Sequence, residues 1–149
     1  MHEFSNILSI LAIQQDEESK QEIIASLEYS EKFGLTLTDT DINNLSESRH
    51  EALRRFDLVE FGGGITPKLI RAFCNSPYTE QSSFADILSM LQDAFYCFRR
   101  EAGETLSDDE LIEYMVSFFD NEAGGSAEYL AEVSLSELLV ASAVRRECR

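Results

Sequence analysis

The chain has 149 residues, of which 44% are hydrophobic and 27% charged, a length and composition typical of one globular domain with its own core. Only two prolines and seven glycines occur, which favours helix over the turn-rich all-β classes. The net charge of −16 repels phosphate backbones and anionic lipids, so we expect neither a nucleic acid nor a membrane as partner.

The N-terminal 24 residues are predicted to form a first helix, less regular than those that follow. Ile7, Leu8 and Leu11 recur at helical spacing, and the charge-rich stretch 14–22 bends or interrupts the helix. The apolar run around them is too short to span a bilayer, and it lacks the basic flank and cleavage pattern of a signal peptide.

The next two helices are separated by a predicted turn. Helical spacing of Ile23, Ile24 and Leu27 leads to Gly34, which is predicted to take the left-handed position after the helix. Thr38 is the predicted N-cap of the following helix, which continues to about residue 56. A short strand pair, 35–37 with 58–61, is a further expectation.

The stretch "EFGGGITPKL", residues 60–69, contains a predicted helix start. Thr66 is the expected N-cap and Pro67 the first helical residue, where the missing N–H of proline has no intrahelical partner to lose. This helix should end near Pro77, which disfavours helical geometry at the residue before it.

The longest apolar stripe predicts a central helix over 82–102. Its members recur every three or four residues: Phe84, Ile87, Leu88, Leu91, Phe95 and Phe98. Ser107 and Glu110 then form a capping box, and a last helix is predicted from about Ser126 to Ala143 or beyond, with 144–149 as a basic tail. The sequence thus predicts an all-α, single-domain bundle of about six to seven helices over residues 1–149.

The glycine stretch also raises the question of a phosphate site. Neither a Walker loop nor a dinucleotide-binding loop fits, because Ile65 follows the last glycine and Pro67 stands where a glycine belongs. What remains is an anion site or a small enzyme's site, weighed against a simple turn before a helix, which we favour. The candidate ligand-binding residues are Glu60, Gly62, Gly63, Gly64, Lys68, Ser76 and Tyr78.

Catalytic and metal-binding patterns are incomplete. Asp39, Asp41 and Asn43 imitate the start of a calcium loop, but His50 stands where its bidentate glutamate is required. Cys74 is expected to be buried and inert, and the cysteine spacings fit neither a zinc site nor a disulfide framework. We therefore predict no catalytic residue, no metal site and no cofactor, and a reducing cytoplasm as the location.

An acidic stretch is the remaining feature. Between Glu101 and Val144 the chain holds eleven acids and no lysine, arginine or histidine, so local pairing of opposite charges is absent. This surface is either only solubilising or a docking face for a basic partner, including the basic tail of a second copy. The candidate interface residues are Asp108, Asp109, Glu110 and Glu113.

Five ordered motifs carry a family resemblance. They are "FGLTLT" (33–38), "EFGGGI" (60–65), "FCNSPY" (73–78), "LSDDELIEYM" (106–115) and "GSAEYL" (125–130). Over roughly residues 25–130 the chain resembles a bacterial family of unknown function from clostridia and related Gram-positive anaerobes. The resemblance implies an intracellular bacterial protein and carries no activity, cofactor or partner. We predict a non-enzymatic accessory or regulatory module that acts through protein–protein contact, with the small enzyme or anion-binding protein as the alternative.

Overall fold

Helices dominate the residues that the computed structural model describes, 18–60 and 64–147, and no strand occurs among these residues. The helices are α1 (18–30), α2 (Asp39–Arg55), α3 (Thr66–Phe73), α4 (Phe84–Ala102), α5 (Asp108–Asp120), α6 (Ala127–Glu132) and α7 (Leu135–Glu147), with short 3-10 turns at Glu31–Phe33 and Gln81–Ser83. The predicted all-α class is therefore confirmed. The part of the predicted first helix before residue 18 lies outside the described residues.

Helix α4 is the centre of the bundle, as its apolar stripe predicts. It contacts α2, α3, α5, α6 and α7. The stripe residues are all buried, with Leu91 at 0% exposure and Phe84, Leu88, Phe95 and Phe98 at 1%. A helix that is apolar around most of its circumference is stable only when other elements cover it on several sides, which explains its central place.

Leu91→Ala is expected to lower the free energy of unfolding by about 2–5 kcal/mol, because it removes a fully buried side chain and leaves a cavity. Val140→Ala is the control, since the Val140 side chain is 57% exposed and its truncation should cost far less. Urea unfolding followed by circular dichroism measures both. Equal losses in the two variants would contradict the central position of α4.

Three helix ends form as their local sequence predicts. Gly34 has a φ of +78° and its N–H donates to the Glu31 carbonyl, which closes the turn after α1. Thr38 accepts a hydrogen bond from the N–H of Asp41 at 3.1 Å, and the Asp41 carboxylate bonds back to the Thr38 N–H. The same reciprocal capping box joins Ser107 and Glu110 at the start of α5.

The predicted N-cap role of Thr66 is wrong, because α3 starts one residue earlier than expected. Ile65 occupies the N-cap position with helical backbone angles, and Thr66 is already helical. The Thr66 hydroxyl instead donates to the side chain of Gln92, whose amide donates to the Leu45 carbonyl at 3.1 Å. Gln92 is fully buried, so leaving its side-chain oxygen without a donor would cost more free energy than leaving the start of α3 without a side-chain cap.

The predicted strand pair, 35–37 with 58–61, does not form within the described residues. The backbone N–H and carbonyl of Thr36 both bond to the side-chain amide of Gln81, at 2.7 and 3.1 Å. On the other segment, the N–H of Leu58 donates to the Leu53 carbonyl and so continues the turn that ends α2. Since the backbone groups of Thr36 and the N–H of Leu58 already have hydrogen-bond partners, they are not available to pair the two segments as strands. Residue 61 lies outside the described residues.

The predicted last helix is two helices. Val133, with φ −82° and ψ 155°, is extended and separates α6 from α7. The Ser126 hydroxyl caps α6, and the Ser134 hydroxyl accepts from the N–H of Glu137 at 3.2 Å and caps α7. The basic tail begins inside α7, which reaches Glu147, and residues 148–149 lie outside the described residues.

Candidate functional site

Glu60, whose side chain is 17% exposed, lies in a polar cluster with two buried residues of the neighbouring helices. Its Oε1 accepts one hydrogen bond from Arg49 Nε and another from the Tyr96 hydroxyl, each at 2.7 Å. Helix α2 supplies Arg49, which is 3% exposed, and α4 supplies Tyr96, which is 1% exposed. We call Arg49, Glu60 and Tyr96 the buried triad.

The charge states of Arg49 and Tyr96 are fixed near neutral pH. Burial alone would lower the pKa of the Arg49 guanidinium, but the adjacent Glu60 carboxylate outweighs burial and the pKa is raised. Burial, together with the Glu60 charge, also raises the pKa of Tyr96 far above its usual range. Arg49 therefore stays cationic and Tyr96 stays a neutral donor, which is an arrangement suited to holding Glu60 in place.

The backbone of Gly64 packs directly against the buried triad. Its φ is +78°, and a Cβ added there would lie 2.5 Å from Arg49 Nε and 2.7 Å from Glu60 Oε1. This glycine is required by both its backbone angle and the close approach of the guanidinium. Gly62 and Gly63, the other two glycines of the candidate anion site, lie outside the described residues.

The other candidate ligand-binding residues all contact α5, Lys68 at its first turn and Ser76 and Tyr78 at its last turn. Lys68 Nζ is 3.0 Å from Asp109 Oδ1 on α5. The Ser76 hydroxyl donates to Asp120 Oδ1 at 2.6 Å, and the Tyr78 ring lies edge-on to Phe119. Among the described residues, Glu60, Lys68, Ser76 and Tyr78 thus do not converge on one ligand.

The acidic stretch is partly neutralised by cations from other helices. Asp108 Oδ1 is 2.5 Å from Arg99 Nη1, and Asp109 pairs with Lys68. Glu122 forms an ion pair with Arg145 of α7. Tertiary contacts therefore supply Asp108, Asp109 and Glu122 with the opposite charges that the local sequence lacks.

Glu110 and Glu113 differ from the two aspartates beside them. Both are exposed and neither forms an ion pair with another described residue. They line a groove of about 480 Å³ between α5 and α7, which we call the acidic groove; it also includes Tyr114, Arg145 and Arg146. Of the four predicted interface residues, these two are the ones that a partner can reach without breaking an internal ion pair.

Cys74 and Cys97 are free thiols among the described residues. Cys74 is 2% exposed, and burial raises the pKa of its thiol, so it stays protonated and unreactive. Burial raises the pKa of the Cys97 thiol too. No three His, Cys, Asp or Glu side chains within 18–60 and 64–147 come together as a metal site. Cys148 lies outside these ranges.

Sequence reasoning did not identify Arg49 and Tyr96 as the partners of Glu60. One signal was present, because Arg49 occupies an apolar position in the stripe of α2 formed with Ile42 and Leu45. A charged residue on the buried side of a helix implies a buried partner. Tyr96 gives no such signal, since a buried tyrosine in a central helix is ordinary.

The central helix, the buried triad and the acidic groove belong to an all-α domain. The chain belongs to the family of unknown function DUF6323, which it matches over residues 22–149. No curated protein and no solved structure matches it. Over the described residues, none of the helices combines the length and the apolar character needed to cross a bilayer.

Proposed function

We propose that the domain is a non-enzymatic accessory or regulatory module that binds a basic segment of a partner protein in the acidic groove. The observation that carries this proposal is the difference between Glu110 and Glu113, which face the groove without an ion pair, and Asp108 and Asp109, which are paired internally. Carboxylates without an internal counterion are the ones that gain most from a basic partner.

The net charge of the whole chain favours the same kind of partner. With a net charge of −16, the domain attracts basic proteins over long range and repels acidic ones. A groove of about 480 Å³ accommodates a few side chains, so the complementary element is a short segment rather than a broad face.

The arginines of the acidic groove set a further requirement on the partner. Arg145 is bonded to Glu122 and to the Ser117 hydroxyl, so its charge is already compensated. Arg146 is exposed and lines the same groove. The proposed segment therefore presents basic side chains to Glu110 and Glu113 and an acceptor group to Arg146.

The cytoplasm is the proposed location. Support comes from Cys74 and Cys97, which carry free thiols, as is usual in reducing compartments.

A photoreactive phenylalanine analogue in place of Tyr114, which lines the acidic groove, tests the proposal by crosslinking in cell extract. Glu110→Gln with Glu113→Gln should lower the yield of the adduct about tenfold, because two attractive charges are lost. Glutamine at 110 keeps an acceptor for the Ser107 N–H, so the capping box is preserved. The yield should also fall steeply with added salt.

Glu128→Gln with Glu132→Gln is the matched control, since it makes the same change of charge at two exposed positions of α6. It should leave the adduct unchanged. Equal losses in the two pairs would show that only the total charge matters and that the acidic groove is a solvated surface. An adduct of twice the mass of the chain would identify a second copy as the partner.

A further inference from the structure

A second and larger groove lies where the C-terminal ends of α2 and α4 meet. Its volume is about 770 Å³. It is lined by Leu53 of α2, by the segment 56–60 that follows α2, and by the end of α4 with the turn after it. We call it the corner groove. Its volume lies within the range of about 300–1,000 Å³ that is typical of sites for small molecules.

One wall of the corner groove is apolar. Leu53, Phe56 and Leu58 are half-buried and pack against the core, while Val59 is 81% exposed. A branched apolar side chain so open to water gains free energy if a ligand covers it. This wall suits the apolar body of a ligand rather than a fully polar one.

The polar side of the corner groove carries both positively and negatively charged side chains. Most of them already form ion pairs or hydrogen bonds within the protein. Asp108 neutralises Arg99, and the Glu60 carboxylate is held within the buried triad. Arg100 donates to the carbonyl of Phe56, the C-cap residue after α2. The groove's cations are therefore bound to oxygen atoms of the protein.

Two carboxylates of the corner groove remain without a cation in the described part of the chain. Asp57 and Glu104 are exposed, and neither forms an ion pair with another described residue. They stand beside the last turns of α2 and α4, where the helix dipole places partial negative charge. The electrostatic field in the groove thus favours a cation.

We propose that the corner groove binds a small organic cation, a primary ammonium group carried on an apolar body. The apolar body lies against Phe56, Leu58 and Val59, and the ammonium group bonds to Asp57 and Glu104. This site is separate from the acidic groove and does not depend on the function proposed there.

A nuclear magnetic resonance titration of the whole chain with 2-phenylethylammonium tests this site. The amide signals of Val59 and Gly103, which line the groove, should shift and saturate with the ammonium probe. 2-Phenylethanol, which has no charge, and 3-phenylpropanoate, which is anionic, should bind at least about tenfold more weakly, since the carboxylates attract only the cation. Equal binding of either analogue would overturn the proposal.

The variant Asp57→Asn with Glu104→Gln should raise the Kd of 2-phenylethylammonium about tenfold. Asp57 has a φ of +53°, and asparagine tolerates this left-handed geometry, so the backbone is kept. If the double variant fails to fold, Glu104→Gln alone changes one exposed charge and should raise the Kd about threefold. Glu128→Gln with Glu132→Gln, on α6, should leave the Kd unchanged.

An unchanged Kd in the corner-groove variants would overturn the proposal, as would the absence of any shift at millimolar probe. A capped Phe-Lys dipeptide carries the same ammonium chemistry on a peptide. Tighter binding of this dipeptide than of the small amine would also overturn the proposal, because the groove would then be a docking site for a lysine side chain.

Discussion

Gly64→Ala is expected to destabilise the domain by about 3–5 kcal/mol, whereas Gly34→Ala should cost only about 1–2 kcal/mol. Both glycines have a φ of +78°, so an alanine meets the same backbone penalty at each position. Nothing lies within 4 Å of a Cβ at Gly34, but at Gly64 that atom would overlap the Arg49 guanidinium and the Glu60 carboxylate. The difference between the two variants therefore measures the disruption of the buried triad.

Urea unfolding monitored by circular dichroism gives both free energies on one scale. The Gly64 variant should also show a changed near-ultraviolet signal, because Tyr96 belongs to the triad that the new methyl group displaces. Equal losses of stability at Gly64 and Gly34 would mean that the loop yields without disturbing Arg49.

Helix ends were predictable where their partners lie within a few residues. Thr38 with Asp41, and Ser107 with Glu110, are each three residues apart, so the reciprocal hydrogen bonds follow from the local sequence. The turn at Gly34 is equally local. The apolar stripe of α4 predicted its burial for a related reason, because a helix converts sequence spacing directly into a face.

Two of the errors in the fold come from side-chain amides that act over long range. Thr66 bonds to Gln92, which is 26 residues away, and Thr36 bonds to Gln81, which is 45 residues away. Both contacts replace the local role that the sequence predicted, an N-cap in one case and a strand in the other. A glutamine has no preferred sequence distance to its partner, so no local pattern can indicate these bonds.

The candidate ligand-binding residues also have long-range partners that the local sequence does not indicate. Glu60 and Lys68 were selected as polar residues beside a glycine loop, which presupposed that their charges are available. Arg49, Tyr96 and Asp109 contact these charges in the fold. Only the place of Arg49 on the apolar side of α2 hinted at this, and it could not indicate which carboxylate would be the partner.

Glu60→Leu should lower the free energy of unfolding by about 3–5 kcal/mol, because it leaves the buried Arg49 guanidinium without the carboxylate that balances its charge. Asp109→Leu is the control. It removes a carboxylate from an ion pair whose side chains are 50% and 77% exposed, and such pairs contribute at most about 1 kcal/mol. Both values come from urea unfolding at the same ionic strength.

Combining Glu60→Leu with Arg49→Met tests the cause of this loss. If the loss arises from an unbalanced buried charge, removing that charge should restore part of the stability, and the double variant should be more stable than Glu60→Leu alone. If Glu60 acted only through its bulk, the two losses would add instead. Recovery in the double variant would show that the role of Glu60 is to balance the charge of Arg49. The negative charge of the corner groove would then come from Asp57 and Glu104.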